Sequence, residues 1–210
     1  MVLKNLVIEG NIGAGKTLLA EMISEKFEGR MVAEQKSPNP FLPKFYSTPA
    51  RYALPLEMSL LAERYSQLKE MTSAADGNLL SVWDYYIWKS MVFSGITLND
   101  DDREIFRSIY SIMSEPFPVP DLYVYLHKSV DKLLENISKR GRPYERSIDA
   151  SYLLKIEKGY FSYMKGQEGV KILVINTNKL DFAGNKNDFF TITDLIFNKP
   201  HPVGMTTVLF

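Results

Sequence analysis

Residues 10–17, Gly10-Asn11-Ile12-Gly13-Ala14-Gly15-Lys16-Thr17, fit the pattern G-x-x-x-x-G-K-[ST]. They stand between Leu3–Glu9, a short strand-like run of branched aliphatics, and Lys16–Phe27, whose apolar residues Leu19, Ala20, Ile23 and Phe27 recur at helical spacing before Gly29. A strand, a glycine loop and a helix in that order form a phosphate-binding turn. Glycines let successive backbone N–H groups converge, and the positive end of the helix adds its field, so phosphate oxygens are held there. Lys16 is placed to reach the β- and γ-phosphates of a nucleoside triphosphate, and the Thr17 hydroxyl to take a magnesium position. Average residue frequencies give such a match by chance in about one per cent of chains this long, and the flanking strand and helix make chance rarer still.

The rest of the chain alternates as a parallel sheet requires. Strand-like runs recur at Met31–Glu34, Asn78–Asp84, Leu122–Leu126 and Lys171–Asn176. Between them fall helical patterns. One is Arg51–Met71, in which Pro55 kinks the helix or marks its first turn. The others are Tyr85–Phe93, a helix opened by Thr97 with Asp100 in its first turn, Val130–Lys139, Ile148–Met164 with Asp149 near its start, and Asp188–Phe197. Ser37–Pro49 is a proline-rich loop carrying Phe41, Phe45 and Tyr46. Helices joining successive strands are crossover connections, so the expected fold is α/β, a doubly wound five-stranded parallel sheet. It occupies residues 1–198, and residues 199–210, with two prolines and a glycine, read as a frayed tail.

Composition removes several function classes. A chain of 210 residues has the length of one α/β domain, and its 45% hydrophobic share supports a sizeable core. Its 25 basic residues balance 25 acidic ones, whereas duplex binding calls for a basic excess, so nucleic acid is disfavoured as principal partner. No apolar run approaches the roughly 18 residues of a membrane span, and Met1–Gly10 lacks the regions of a secretion signal. With no cysteine there is no disulfide, thiolate metal site or cysteine nucleophile. A soluble, cytoplasmic protein with no membrane association is expected.

The loop alone does not separate kinases from switches, motors or helicases. A switch GTPase needs a base-reading N-K-x-D after a later strand, and Asn176-Thr177-Asn178-Lys179 has the wrong order and no matching acid. A kinase for a small acceptor is the simplest remaining reading. Lys139-Arg140-Gly141-Arg142-Pro143-Tyr144-Glu145-Arg146 puts four cations around a turn. A solvated helix end would carry the same charges, because cations favour the C-terminal dipole. Beside a phosphate loop, guanidinium groups at 139–148 form an arginine lid, suited to stabilising a transferring phosphoryl group and excluding water.

Taken in order, GNIGAGKT, NPFLPKFY with Glu34 before it, RYALPLEM, AERYSQL, WDYYIWKSMVF, PDLYVYL and KRGRPYE resemble the deoxynucleoside kinases, and within them the bacterial deoxyguanosine kinases, over nearly the whole chain to about Ile196. The resemblance implies a P-loop kinase fold, ATP and Mg2+ as cofactors, a deoxynucleoside acceptor and a homodimer. It implies that Glu34 takes the proton from the acceptor 5′-hydroxyl, a task suited to a strand-end carboxylate. It matches Tyr46 and Glu145 to the pair that grips the deoxyribose 3′-hydroxyl, Arg64 to a base-side arginine, and Arg140, Arg142 and Arg146 to the lid, with Arg142 also on ATP. Asn136 departs from the resemblance, standing where many relatives carry a further lid arginine.

Two positions carry the finer reading. Where the family has an acid-Arg-Ser triplet, this chain has Asp84-Tyr85-Tyr86. Either Asp84 keeps the acid's magnesium role and the arginine is lost, or the alignment slips by one and Asp84 takes the arginine's place. At Glu57 many relatives have glutamine. An ionised glutamate is acceptor-only, and guanine presents two adjacent donors, N1–H and its 2-amino group, whereas adenine and cytosine set an acceptor beside their amine. A surface Glu57 paired with a nearby cation is the alternative. The aromatics Phe41, Phe45, Tyr46, Tyr52, Trp83, Tyr85, Tyr86 and Trp88 crowd the segments expected to wall the pocket, most of them as core. The reading is an ATP-dependent deoxynucleoside kinase acting on deoxyguanosine; a deoxyadenosine or broad-specificity kinase, a monophosphate kinase and a regulatory nucleotide-binding module are the rivals.

Overall fold

A computed structural model describes residues 3–34, 39–73 and 79–210. Asn78, where the third strand was expected to start, and Ser37 and Pro38 of the expected loop lie outside the described residues. Strands β1 (Asn5–Gly10), β2 (Arg30–Val32), β3 (Ser81–Trp83), β4 (Leu122–His127), β5 (Lys171–Asn176) and β6 (Gly204–Val208) form one sheet in the order β2-β3-β1-β4-β5-β6. Every pairing is parallel.

The helices are α1 (Lys16–Lys26), α2 (Leu42–Ser47), α3 (Pro49–Ser73), α4 (Trp88–Thr97), α5 (Asp100–Ser114), α6 (Val130–Arg140), α7 (Ala150–Lys165) and α8 (Lys186–Asn198). Successive strand residues point to opposite faces, and both faces are covered. Val7, Tyr123, Tyr125 and Val174 pack with Leu61 of α3, Val92 of α4, Phe106 of α5 and Ile156 of α7. Their neighbours Leu6, Ile8, Val124 and Leu173 pack with Leu19 of α1, Leu133 of α6 and Ile192 of α8. This double burial is why the strands read as unbroken apolar runs. Each fully buried leucine on these faces contributes about 1.5–3 kcal/mol. The chain starts in the centre at β1, fills one side with β2 and β3, then crosses to β4. A crevice therefore opens beyond the carboxyl ends of the strands around β1, where such sheets bind ligands.

Four local expectations change. The sheet has six strands rather than five, because the last residues, expected to fray, form β6 on β5. Gly204, with φ 96°, starts that strand and donates to Val170 O at 2.9 Å. As an edge strand that alternates between half-buried and exposed, β6 has no apolar run to announce it. Thr97 ends α4, its hydroxyl bonded to Phe93 O at 2.8 Å. The cap of α5 is Asn99, whose Oδ1 accepts from Asp102 N at 2.9 Å and leaves three aspartates in the first turn. The proline-rich loop folds into α2 from Leu42, with Pro43 in its first turn where no donor is needed. Finally, α3 runs through Pro55. The missing N–H costs only the bond to the carbonyl of Arg51, near the exposed start of the helix.

Candidate active site

The loop of residues 10–17 leaves β1 and enters α1. Gly10, Gly13 and Gly15 all have positive φ (157°, 84° and 93°). At Gly13 a side chain would meet Leu133 O at 2.9 Å, and at Gly15 the ring of Phe182 at 2.9 Å, so only glycine fits either place. Gly15 stands at the start of α1 with no side chain capping the helix, which leaves the first amides for an anion. Asn11 fixes the loop from within: its Nδ2 donates to Leu153 O and its Oδ1 accepts from Ile12 N, each at 2.8 Å. Asn136 fixes it from outside, donating to Gly13 O at 2.8 Å. Ala14 is fully buried beneath the loop. Lys16 Nζ donates to Asn11 O at 3.0 Å. Burial lowers the Lys16 pKa, and Lys89 is the charge that lowers it most.

Three side chains converge on the loop from the strand ends. Thr17 Oγ1 donates to Asp84 Oδ2 at 2.6 Å, and Asp84 Oδ1 is buried with no partner among the described residues. Burial raises the Asp84 pKa to about 6 against the pull of Lys16 and Thr17. A hydroxyl beside a carboxylate with a partnerless oxygen is a hard-oxygen donor set of the kind that suits Mg2+. Asp84 and Thr17 are thus the two residues that could hold the metal here. Tyr85 is fully buried and its hydroxyl donates to Gln67 Oε1 at 2.6 Å. The third side chain is Glu34, just beyond β2.

Glu34 is held by two cations. Arg64 Nη2 donates to Oε1 and Lys89 Nζ to Oε2, each at 2.6 Å. Burial alone would push its pKa up, but Lys89 and Arg64 together hold it well below the ordinary carboxylate range. Arg64 follows Glu57 by seven residues on α3, two turns along one face. Its guanidinium also donates to Ser90 Oγ of α4 at 2.5 Å, while its Nε is buried without a partner among the described residues. Glu57 is 1% exposed. Thr97 Oγ1 donates to its Oε1 at 3.2 Å, and its Oε2 has no partner among the described residues. Burial pushes the Glu57 pKa up to about 7, opposed mainly by Arg64. A surface Glu57 is thereby excluded.

Of the residues expected to form the lid, Arg140, Arg142, Tyr144 and Glu145 line the same cavity as Glu34 and Glu57. Gly141, with φ 69°, ends α6 and turns the chain into a short 3₁₀ turn, Pro143–Glu145. Glu145 is buried and accepts from Arg140 Nη2 at 2.7 and 2.8 Å and from Arg142 Nη1 at 3.3 Å. Tyr46 stacks on Tyr144 with centroids 6.2 Å apart, and burial followed by the charge of Glu145 raises its pKa. Arg146 is exposed and is not among the residues lining the cavity.

These walls enclose a cavity of about 570 Å³ that runs from Lys16 and Thr17 past Glu34 and Lys89 to Glu57, with Arg140, Arg142 and Glu145 on its rim. Phe45, Tyr46, Phe93, Tyr144 and Tyr152 supply its flat apolar surfaces. Of the expected wall aromatics, Trp83, Tyr85, Tyr86 and Trp88 belong to the core. Across the loop a second hollow of about 310 Å³ is lined by Gly13, Gly15, Asn136, Asp181 and Phe182. One hollow on each side of a phosphate loop suits a donor on one side and an acceptor on the other.

Sequence reasoning missed Lys89, Ser90 and Glu9. Glu9 is completely buried and accepts from Gly10 N (3.2 Å), Tyr86 N (3.0 Å) and the Tyr160 hydroxyl (3.0 Å), tying the loop to the end of β3. A charge ending an apolar strand, and a lysine alone in the apolar stretch Trp88–Phe93, were the available signals.

A phosphate loop at the switch point of a parallel sheet, facing a carboxylate-lined cavity, defines a P-loop phosphotransferase for a small acceptor. The deoxynucleoside kinase family model matches residues 6–199, and the chain belongs to that family. It is 37% identical over 190 residues to "Deoxyguanosine kinase" of Bacillus subtilis (strain 168), a match covering 88% of this chain and 91% of the relative. "Deoxyadenosine kinase" of Lactobacillus acidophilus is 30% identical over 195 residues, 87% of this chain and 89% of that one. Among solved structures, deoxyadenosine kinase from M. mycoides with the products dCMP and a flexible dCDP bound has a TM-score of 0.80 at 21% identity, covering 92% of this chain and 99% of that one. The protein is an ATP-dependent deoxynucleoside kinase.

Proposed function

We propose that the acceptor is a purine deoxynucleoside, deoxyguanosine first, and that its 5′-hydroxyl receives the γ-phosphate of Mg-ATP. The observation that carries this reading is Glu57, a buried carboxyl at the far end of the cavity whose Oε2 has no partner among the described residues. As a carboxylate it accepts from guanine N1–H and the 2-amino group together. The likeness to the Bacillus subtilis deoxyguanosine kinase supports it. The rival acceptor, deoxyadenosine, draws support from the pKa of Glu57 near 7, since a neutral carboxyl offers one donor and one acceptor.

The roles follow the walls. The amides of residues 10–17 and Lys16 cradle the triphosphate. Thr17 and Asp84 hold Mg2+, which when bound draws charge from the phosphate oxygens. Tyr46 and Glu145 take the 3′-hydroxyl, Arg64 the base edge beside Glu57, and Arg140 and Arg142 the charge on the transferring group. Glu34 accepts the 5′-hydroxyl proton as the 5′-oxygen attacks in line. Deoxynucleosides and their monophosphates assayed with Mg-ATP test this reading. Deoxyguanosine is expected to give the highest kcat/KM, and a pyrimidine deoxynucleoside or a monophosphate in first place would overturn it.

A further inference from the structure

The arrangement around Glu34 contains a contradiction that its geometry resolves. A carboxylate gripped at both oxygens by cations is ionised but a poor proton acceptor, because each ion pair stabilises the charged form. One grip must loosen before the proton can move, and the two are not equivalent. Arg64 is 3% exposed, and its guanidinium spans Glu34 and the Ser90 hydroxyl, so moving it breaks two buried hydrogen bonds at once. Lys89 is 16% exposed, and among the described residues its ammonium group has one hydrogen bond, to Glu34 Oε2. It sits at the end of a flexible stem with three donors to redirect.

Lys89 also faces the phosphate loop. It lines the same cavity as Lys16, Thr17 and Asp84. Two ammonium groups acting on one another across a cavity are an arrangement that an anion between them relieves. The groups acting on Glu34 come from every side: Arg64, Glu57 and Glu63 from α3, Lys89 from α4, Lys16 from α1, and Asp84 and Tyr85 from the end of β3.

Resting on the assignment of Glu34 as the base, we propose that Lys89 is an exchangeable counter-ion, which releases Glu34 Oε2 and moves onto the transferring phosphoryl oxygens during the reaction. The exchange does two things in one motion. It restores the basicity of Glu34 when the 5′-hydroxyl must lose its proton, and it delivers a positive charge where negative charge collects. The balance needs no proton from Lys89. The 5′-oxygen bonds to the γ-phosphorus, and its proton passes to Glu34. The bond from that phosphorus to the β,γ-bridging oxygen breaks with its electron pair leaving on ADP, and Glu34 returns the proton to water after product release.

The test compares Lys89→Met, Lys89→Arg and Glu34→Gln in the full chain with Mg-ATP and each of deoxyguanosine and deoxyadenosine. Lys89→Met is expected to lower kcat by about a hundredfold with the acceptor KM within about threefold, the pattern of an interaction made only in the transition state. Lys89→Arg is expected to recover at least a tenth of parent kcat. Carbon-13 carboxyl NMR, with the Glu34 signal assigned through Glu34→Gln, is expected to show its titration midpoint moving up in Lys89→Met. A kcat within about twofold of parent overturns the proposal. So does a loss of kcat without arginine recovery or without a displaced Glu34 midpoint, because a lysine that merely props the fold gives that result. If Glu34→Gln keeps parent kcat, the base assignment itself fails, whatever Lys89 does.

Discussion

The proposed place of Glu57 at the base edge makes a quantitative prediction, because its two protonation states would favour different bases. The carboxylate presents two acceptors to the two donors of guanine. The neutral acid presents a donor and an acceptor, which match N1 and the 6-amino group of adenine. Burial sets its pKa at about 7, and the groups acting on it are Arg64 of α3, Thr97 and Lys89 of α4, Glu34 beyond β2, and Tyr152 of α7. A group titrating at about 7 goes from about 3% protonated at pH 8.5 to about 90% at pH 6, a rise of about thirtyfold in the adenine-reading form. The penalty for facing a base with the wrong form is about 1–3 kcal/mol, or about 5- to 150-fold. The carboxylate falls at the same time from about 97% to about 9%, so with that penalty the deoxyadenosine-to-deoxyguanosine ratio of kcat/KM is expected to rise about 15- to 250-fold from pH 8.5 to pH 6.

The assay is initial-rate kinetics with both acceptors in one reaction, so that effects of pH on ATP binding or on the fold cancel in the ratio. Glu57→Gln, which keeps donor and acceptor at every pH, is expected to flatten the ratio and raise it at pH 8.5 by about 5-fold or more. A ratio independent of pH in the parent protein, or one unmoved by Glu57→Gln, would refute the assignment of Glu57 to the base edge. The same burial has a stability consequence of fixed sign. A carboxyl whose folded pKa lies above the unfolded value near 4.5 favours the folded state most at low pH, and that contribution is lost as pH rises through about 7. It amounts to about 3 kcal/mol. Glu57→Gln is therefore expected to narrow the gap in denaturation midpoint between pH 5 and pH 8.

Lys16→Ala is expected to reduce kcat by a thousandfold or more with an unchanged circular-dichroism spectrum, and near-normal turnover would remove the phosphate loop from the chemistry. Glu34→Gln keeps the shape but not the charge, so kcat is expected to fall about a hundredfold with little change in acceptor KM; a raised KM at constant kcat would make Glu34 a binding residue. Asp84→Asn is expected to raise the Mg2+ concentration for half-maximal rate about tenfold or more, and an unchanged magnesium requirement in a titration at fixed ATP would move the metal site elsewhere.

The phosphate loop and the parallel sheet were legible because each is dictated locally. The loop needs its glycines at fixed places, and strands covered on both faces write themselves as apolar runs such as Leu122–Leu126. What could not be read depends on partners distant in sequence. β6 exists through backbone pairing with β5, which leaves no trace in side chains. The cap of α5 fell to Asn99 over Thr97 because the Thr97 hydroxyl is used by Glu57 and Phe93, a competition visible only once α3 and α4 are packed. Lys89 is an ordinary lysine until the end of β2 brings Glu34 within 2.6 Å.

The cavity holds Glu34, Glu57 and Asp84 in one continuous space, and their surroundings rather than their chemical type separate them. Glu34 is buried with two cations bonded to it, Glu57 with a hydroxyl donor and the same two cations at a remove, and Asp84 with Thr17 beside the cationic loop. Desolvation pushes all three toward the neutral form, so the protonation state of each depends on how many positive charges its walls supply. That makes the cations the real determinants of role. Arg64 bonds Glu34 and not Glu57, and Glu57, titrating at about 7, is divided between its two protonation forms at neutral pH. A base that engages Arg64 Nε and Glu57 Oε2, neither of which has a partner among the described residues, would contact the same arginine that holds Glu34, so the base edge and Glu34 would share one rigid support.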